Sequence, residues 1–170
     1  VGTADDSSAQ NPSWVKYLGS GRVNSYKALT QTLPQPRVSV RDLPAHGSVT
    51  ANEVTKLSLK FNQVMHPAGV NNMSNYDFRS AGPNGVFGDG DDVVYPLTIS
   101  TTYRLGTNWN DYVISESPLP CGSYRLTINA TNVKNPFNQT LDGNEDGVGG
   151  DNFVYEFTLG SLKYQDSDND

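Results

Sequence analysis

Short runs in which hydrophobic and polar residues alternate dominate the larger, C-terminal part of the chain. The clearest run is 54–61, whose leucine and phenylalanine residues alternate with lysine and serine. The same alternation recurs in residues 124–128 and 153–159. Because successive side chains of a β-strand point to opposite faces, this pattern predicts strands with one buried and one solvated face.

Turn residues separate these runs, which we predict to be strands at 38–40, 54–61, 76–78, 93–99, 111–114, 124–128 and 153–159. Roughly seven short strands in a span of about 125 residues favour an antiparallel β-sandwich of the immunoglobulin type over a barrel or an α/β fold. The expected fold is therefore an all-β, immunoglobulin-like sandwich.

The first 36 residues have a different character. Residues 23–29 place apolar side chains near one face of a short predicted helix, and residues 30–36 have the Pro-rich, polar character of an extended linker. This predicts three parts: a helical appendage with a linker at 1–36, the sandwich at 37–160, and an acidic linker at 161–170 that leads to a further module.

Composition and charge exclude several classes of function. The chain has 170 residues and a formal net charge of −6, from 12 Lys and Arg against 18 Asp and Glu. No basic stripe is present that could neutralise phosphates, and no apolar run approaches the ~20 residues of a membrane helix. We therefore expect no nucleic-acid partner and no membrane span.

The few residues that usually perform catalysis lie in unpromising settings. His46 lies in a turn rich in Pro and Gly, His66 follows a predicted strand, and neither accompanies a nucleophile motif. We expect Cys121, the single cysteine, to be a buried apolar filler. The sequence therefore predicts no catalytic residues, and the chain alone is expected not to be an enzyme.

Calcium is the cofactor that the sequence favours. The segment that begins at Asp142 places oxygen-bearing side chains at loop positions 1, 3 and 5 and a glycine at position 6, as calcium loops of the EF type do. Position 12, however, is Phe153 instead of a glutamate. The predicted ligands are Asp142, Asn144, Asp146, Val148 through its carbonyl, and Asp151. The alternative is a plain hairpin of Asp, Asn and Gly, whose turn chemistry needs the same residue types.

A second acidic segment is a weaker candidate for the same ion. Asp89, Asp91 and Asp92 lie close together amid glycines just before a predicted strand. Their spacing fits a tight turn as well as it fits a set of calcium ligands.

Two resemblances to known families follow from particular motifs. Residues 5–14 and 18–29, the latter with the run Leu-Gly-Ser-Gly-Arg-Val-Asn-Ser, resemble the end of a subtilisin-like serine protease domain. Residues 37–159 resemble bacterial immunoglobulin-like modules, on the motifs 44–48, 57–67, 76–78, 119–124 and 142–151.

Together these resemblances imply a piece of a secreted bacterial subtilase, with the catalytic residues upstream of Val1. The chain would then be a non-catalytic accessory domain that binds, spaces or stabilises. Its implied partners are the preceding protease domain in the same polypeptide and a protein substrate or cell-surface polymer. The alternative is a structural or adhesive immunoglobulin-like module of a bacterial surface protein. Both interpretations imply a secreted or cell-surface location.

Overall fold

The computed structural model describes residues 34–160 and, before them, the backbone of two short strands, β1 (Ala4–Asp5) and β2 (Arg22–Val23). The chain divides into two compact units, Val1–Pro34 and Gln35–Asp170. In the first unit, β1 and β2 pair in antiparallel fashion. The helix predicted for 23–29 is therefore wrong at its first residue, which pairs in a strand. The rest of that helix and the acidic linker at 161–170 lie outside the described residues, and the division into three parts stays a prediction.

The second unit is built almost entirely from strands. Its only helical elements among the described residues are the one-turn helix α1 (Pro67–Val70) and a 3-10 turn at Met73–Asn75. The strands are β3 (Val38–Arg41), β4 (Val49–Thr50), β5 (Lys56–Phe61), β6 (Tyr76–Ser80), β7 (Val93–Val94), β8 (Leu97–Ile99), β9 (Trp109–Ile114), β10 (Gly122–Ile128) and β11 (Phe153–Leu159).

These strands form two sheets with immunoglobulin topology. One sheet has the order β3-β5-β9-β8, and the other has the order β4-β11-β10-β6-β7. In immunoglobulin terms the first is the A-B-E-D sheet, and β11-β10-β6-β7 is G-F-C with the additional C′ strand. All pairings are antiparallel except that of β4 with β11. The prediction of an all-β sandwich is confirmed.

The inner faces of the two sheets bury a continuous core. Leu57, Leu59 and Phe61 of β5 are fully buried, as the alternation in 54–61 predicts. Across from them, β10 contributes Tyr124, Leu126 and Ile128 to the core. The single cysteine cannot supply the disulfide that links the two sheets of antibody domains. Among the described residues, side-chain packing and contacts such as the hydrogen bond from the Tyr112 hydroxyl of β9 to the Tyr76 hydroxyl of β6, at 3.0 Å, therefore join the sheets.

Tyr124 is the centre of the aromatic part of this core. Its ring stacks on Phe157, with centroids 5.5 Å apart, and on Phe78, with centroids 5.8 Å apart. Its hydroxyl donates a hydrogen bond of 2.6 Å to the carbonyl oxygen of Pro120. A tyrosine near the start of strand F that bonds to the backbone just upstream is the tyrosine corner of immunoglobulin sandwiches. The motif at 119–124 thus fixes the chain as it enters β10.

Three details differ from the sequence-based expectation. The run 93–99 is not one strand, because β7 belongs to one sheet and β8 to the other, and Tyr95 and Pro96 make the crossing. Proline has no N–H to donate to a sheet, which suits it to this crossing. The pattern also missed β4, which has only two residues. Cys121 is exposed, so its assignment as a buried filler is wrong.

We expect Tyr124→Phe to lower the free energy of unfolding by about 0.5–1.5 kcal/mol, because it removes the hydrogen bond that the buried Tyr124 donates to the Pro120 carbonyl. Urea denaturation measures this change. Tyr155→Phe is the matched control, since its hydroxyl also donates to a proline carbonyl, that of Pro44, but from a partly exposed position. An equal or larger loss in the control would contradict the special role of the corner.

Candidate functional site

The loop between β6 and β7, residues 81–92, gathers three carboxylates. Asp89, Asp91 and Asp92 each offer one oxygen atom, and these three atoms lie within 4.8 Å of one another. In the part of the chain that the structure describes, this is the one group of three acidic, histidine or cysteine ligands close enough to share an ion. We call it the Asp89 cluster. In the sequence analysis this segment is the weaker of the two candidate calcium sites.

Asp92 anchors the cluster to the sheet. Its side chain is only 4% exposed, and its Oδ2 accepts hydrogen bonds from Arg79 Nη1 on β6, at 3.1 Å, and from the backbone N–H of Gly88, at 2.9 Å. Arg79 also pairs with Asp77 at 2.6 Å. The guanidinium of Arg79 is therefore shared between a carboxylate of the strand and one of the loop.

The remaining oxygen atoms of the cluster have few partners. Asp92 Oδ1 and Asp91 Oδ1 are both buried and accept no hydrogen bond from the described residues. Asp89 Oδ2 accepts one from Asn84 Nδ2 at 2.6 Å. Contact between the carboxyl groups of Asp89 and Asp91 raises the pKa of Asp91. The fold thus holds two like-charged groups side by side.

Close packing of the loop backbone fixes this arrangement. Gly82 has a φ of +61°, and a Cβ atom there would collide with the backbone oxygen and the carboxyl carbon of Asp91. Only glycine fits such a position without strain. On the same loop, the ring of Phe87 lies 4.0 Å from the guanidinium carbon of Arg125, a cation–π contact that ties the loop to β10.

The loop 142–151, which the sequence favours as the calcium site, has a different geometry. Asp142 has a fully buried side chain whose Oδ2 accepts hydrogen bonds from Arg37 Nε and from the Gly147 N–H, both at 3.0 Å. Arg37 also donates to the carbonyl oxygen of Glu145 at 2.9 Å. A cation from the protein itself therefore already neutralises the first predicted ligand, although Asp142 Oδ1 is buried without a hydrogen-bond partner among the described residues.

The other predicted ligands of this loop form turns. Asn144 Oδ1 accepts from the Asp146 N–H at 3.1 Å, and Asp146 Oδ1 accepts from the Val148 N–H at 2.8 Å. Asp151 is exposed, and its carbonyl oxygen accepts from the Gly143 N–H. The carboxylates of this loop do not form a group like the Asp89 cluster. Calcium at 142–151 stays a prediction.

Both histidines hold backbone groups. His66 is the N-cap of α1, where its Nδ1 accepts a hydrogen bond from the Ala68 N–H at 3.3 Å. His46 Nδ1 accepts one from the Glu156 N–H at 3.0 Å. An imidazole that accepts at Nδ1 carries its proton on Nε2 when neutral, so Nε2 has no lone pair with which to take a proton.

Among the described residues, the groove that contains His66 adds no catalytic group to this histidine. The groove that contains His66 has a volume of about 270 Å³. Its walls contain no serine, threonine, cysteine or carboxylate and consist of His66, Ala68, Gly69, Asn132, Lys134, Asn135, Pro136 and Asn138. A larger groove of about 350 Å³ lies beside β3 and β5 and is bordered by Arg37, Lys60 and Glu145.

Sequence reasoning found the acidic residues but missed their counter-cations. Arg37 pairs with Asp142 across 105 positions of sequence, and Arg79 pairs with Asp92 across 13 positions. These ion pairs form only when the sheets fold, so no local sequence motif predicts them. Arg79 does lie next to the predicted strand at 76–78, which is the one signal that could have pointed to it.

Among residues 34–160 and the two short N-terminal strands, no helix has the length and apolar character required to cross a membrane.

Comparison with known proteins gives structural matches of low identity. No protein-family model matches the sequence, and no curated protein matches it. The N-terminal part of the bacterial S-layer protein SbsC matches 79% of this chain at 12% identity with a TM-score of 0.47. PcoC, a methionine-rich copper resistance protein from Escherichia coli, matches 73% at 16% identity with a TM-score of 0.46. The match covers 26% of the S-layer chain and 97% of PcoC. The comparisons give no support to the subtilisin-like resemblance of the N-terminal segment.

We expect Arg37→Ala to destabilise the fold by about 1–3 kcal/mol, because it removes a charged hydrogen bond and leaves the buried Asp142 carboxylate without its cation. Thermal and urea denaturation measure the loss. Lys56→Ala is the matched control, since its ion pair with Asp42 is exposed on both sides and contributes at most about 1 kcal/mol. Equal losses in the two variants would show that Asp142 does not depend on Arg37.

Proposed function

We propose that this chain is a non-catalytic, structural immunoglobulin-like module of a secreted or surface protein. The observation that carries the proposal is the use of both histidines as acceptors for backbone N–H groups. These are the chain's two histidines, and in each the nitrogen without a proton is already engaged in holding the fold. The side chains best suited to acid–base chemistry at neutral pH therefore act as parts of the scaffold.

Further support comes from how the polar groups near the core are used. Asp142 and Asp92 bind arginines, and Asn75, which is buried, donates from Nδ2 to the carbonyl oxygen of Gly69 at 2.8 Å. Such contacts make the connections between strands rigid. A rigid sandwich suits a part that spaces, supports or displays its neighbours in a larger protein.

The sequence resemblance to a subtilase supplies a second candidate, that of an accessory domain to a protease. It depends on residues 5–14 and 18–29, of which the structure describes only Asp5 of β1 and the strand β2. The reading frame upstream of Val1 separates the candidates. An Asp, a His and a Ser in subtilase settings would favour the accessory domain, and their absence would favour the structural module. A secretion signal in the complete gene supports the proposed location, and a complete gene without one contradicts it.

We expect the purified chain to hydrolyse neither casein nor p-nitrophenyl acetate above the buffer rate. His66→Ala should lower the melting temperature, because it removes the cap of α1, a loss of about 0.5–2 kcal/mol, and should leave hydrolysis at background. Calorimetry and the two hydrolysis assays measure these effects. Hydrolysis by the wild-type chain that disappears in His46→Ala or His66→Ala would overturn the proposal.

A further inference from the structure

We propose that the Asp89 cluster in the β6–β7 loop is a calcium-binding site whose ligands are carboxylate oxygens of Asp89, Asp91 and Asp92. This inference does not depend on the structural role proposed above or on calcium binding at 142–151. It stands on two independent observations: the convergence of three carboxylates, and a buried carboxylate oxygen without a hydrogen-bond partner.

The two observations together distinguish the cluster from an ordinary acidic turn, because the similar unpartnered oxygen of Asp142 does not belong to such a group of three carboxylates. In an acidic turn the carboxylates point into water or accept hydrogen bonds from the turn backbone. The side chain of Asp92 is instead only 4% exposed, and its Oδ1 accepts no hydrogen bond from the described residues. A buried oxygen of this kind is unfavourable unless something binds it. Because the carboxylates of Asp89 and Asp91 lie close to that of Asp92, a cation is the natural partner.

The local charge also favours a cation. Arg79 pairs with Asp77 and Asp92, and the carboxylates of Asp89 and Asp91 lie close to that of Asp92. When all four acids are ionised, one guanidinium leaves three negative charges uncompensated. A divalent ion would neutralise two of these charges and relieve the repulsion between Asp89 and Asp91.

The chemistry of the donors selects calcium among the common divalent ions. All the available ligands are oxygen atoms, whereas zinc and copper prefer nitrogen and sulfur ligands, so the site disfavours these two metals. Away from the tightly packed Gly82, the loop contains glycine at 85, 88 and 90 in open surroundings and can adjust there to the irregular shell of six to eight oxygens that calcium accepts. Magnesium demands a near-ideal octahedron and gives up its waters reluctantly. With three carboxylates and water in the remaining positions, we expect a dissociation constant of about 10⁻⁴–10⁻³ M, as in extracellular modules.

The test is hydrogen exchange of the full 170-residue chain with and without calcium chloride at roughly 10 mM, together with calorimetric titration of the same salt. Exchange in residues 81–92 should slow in the wild-type chain and in the control Glu53→Gln, which changes an exposed acid outside both loops. Asp89→Asn and Asp91→Asn should each weaken calcium binding at this loop at least tenfold. Since Asp89 is exposed, its variant tests the site even if Asp91→Asn does not fold.

Asp146→Asn separates the two acidic loops, because it changes only the loop 142–151. It should leave the calcium response of residues 81–92 unchanged. Three results would overturn the site: no change in exchange at 81–92 in the wild-type chain, a wild-type response in both Asp89→Asn and Asp91→Asn, or loss of the response at 81–92 in Asp146→Asn. Equal protection by magnesium chloride at the same concentration would overturn the choice of calcium. None of these results bears on the absence of hydrolysis, so a failure here leaves the proposed function intact.

Discussion

The packing of Tyr124 is the interaction on which the rest of this structure depends. Its ring stacks on aromatic residues of the two neighbouring strands, β6 and β11, and its hydroxyl fixes the turn that leads into β10. Aromatic contacts of this type add about 0.5–1.5 kcal/mol each beyond the apolar area that they bury. All three rings belong to strands of one sheet, so they hold β6, β10 and β11 in register, while the packing of the inner faces joins this sheet to the other.

The rigid sheets explain how loops at their edges can hold carboxylates in unfavourable positions. Asp142 and Asp92 are both buried, and each is bound to an arginine on a strand or at its start. The two loops differ in what remains after that pairing. At 142–151, Arg37 and the turn backbone satisfy most of the side chains, whereas in the β6–β7 loop two further carboxylates stay close to Asp92. In both loops a buried aspartate pairs with an arginine. The loop 142–151 is then a turn whose side chains are mostly satisfied, whereas the β6–β7 loop keeps further carboxylates available as ligands.

Much of the fold could be predicted from the sequence, because strands report their buried faces through alternation. The runs at 54–61, 124–128 and 153–159 became β5, β10 and β11, whose inner residues form the core. The pattern failed where tertiary pairing decides the outcome. A two-residue strand such as β4 has no periodicity to detect, and nothing local in 93–99 shows that the chain changes sheets at Tyr95 and Pro96.

The candidate site was harder to predict because ligand residues and turn residues are the same amino acids. The spacing from Asp142 matches a calcium loop, yet the partner of Asp142 is an arginine 105 positions away. The spacing of Asp89, Asp91 and Asp92 fits a tight turn as well as a ligand set, and only the fold buries Asp92 and brings Asp91 against Gly82. Burial and counter-charge decide between the two interpretations, and both arise only when the sheets assemble.

Anomalous diffraction from crystals grown with calcium chloride tests the central claim most directly, namely that the sandwich holds the carboxylates of the β6–β7 loop ready for a divalent ion. The account predicts an anomalous difference peak about 2.3–2.6 Å from oxygen atoms of Asp89, Asp91 and Asp92. A map that shows the loop in the conformation described above, with no anomalous peak beside these residues at millimolar calcium, would contradict it.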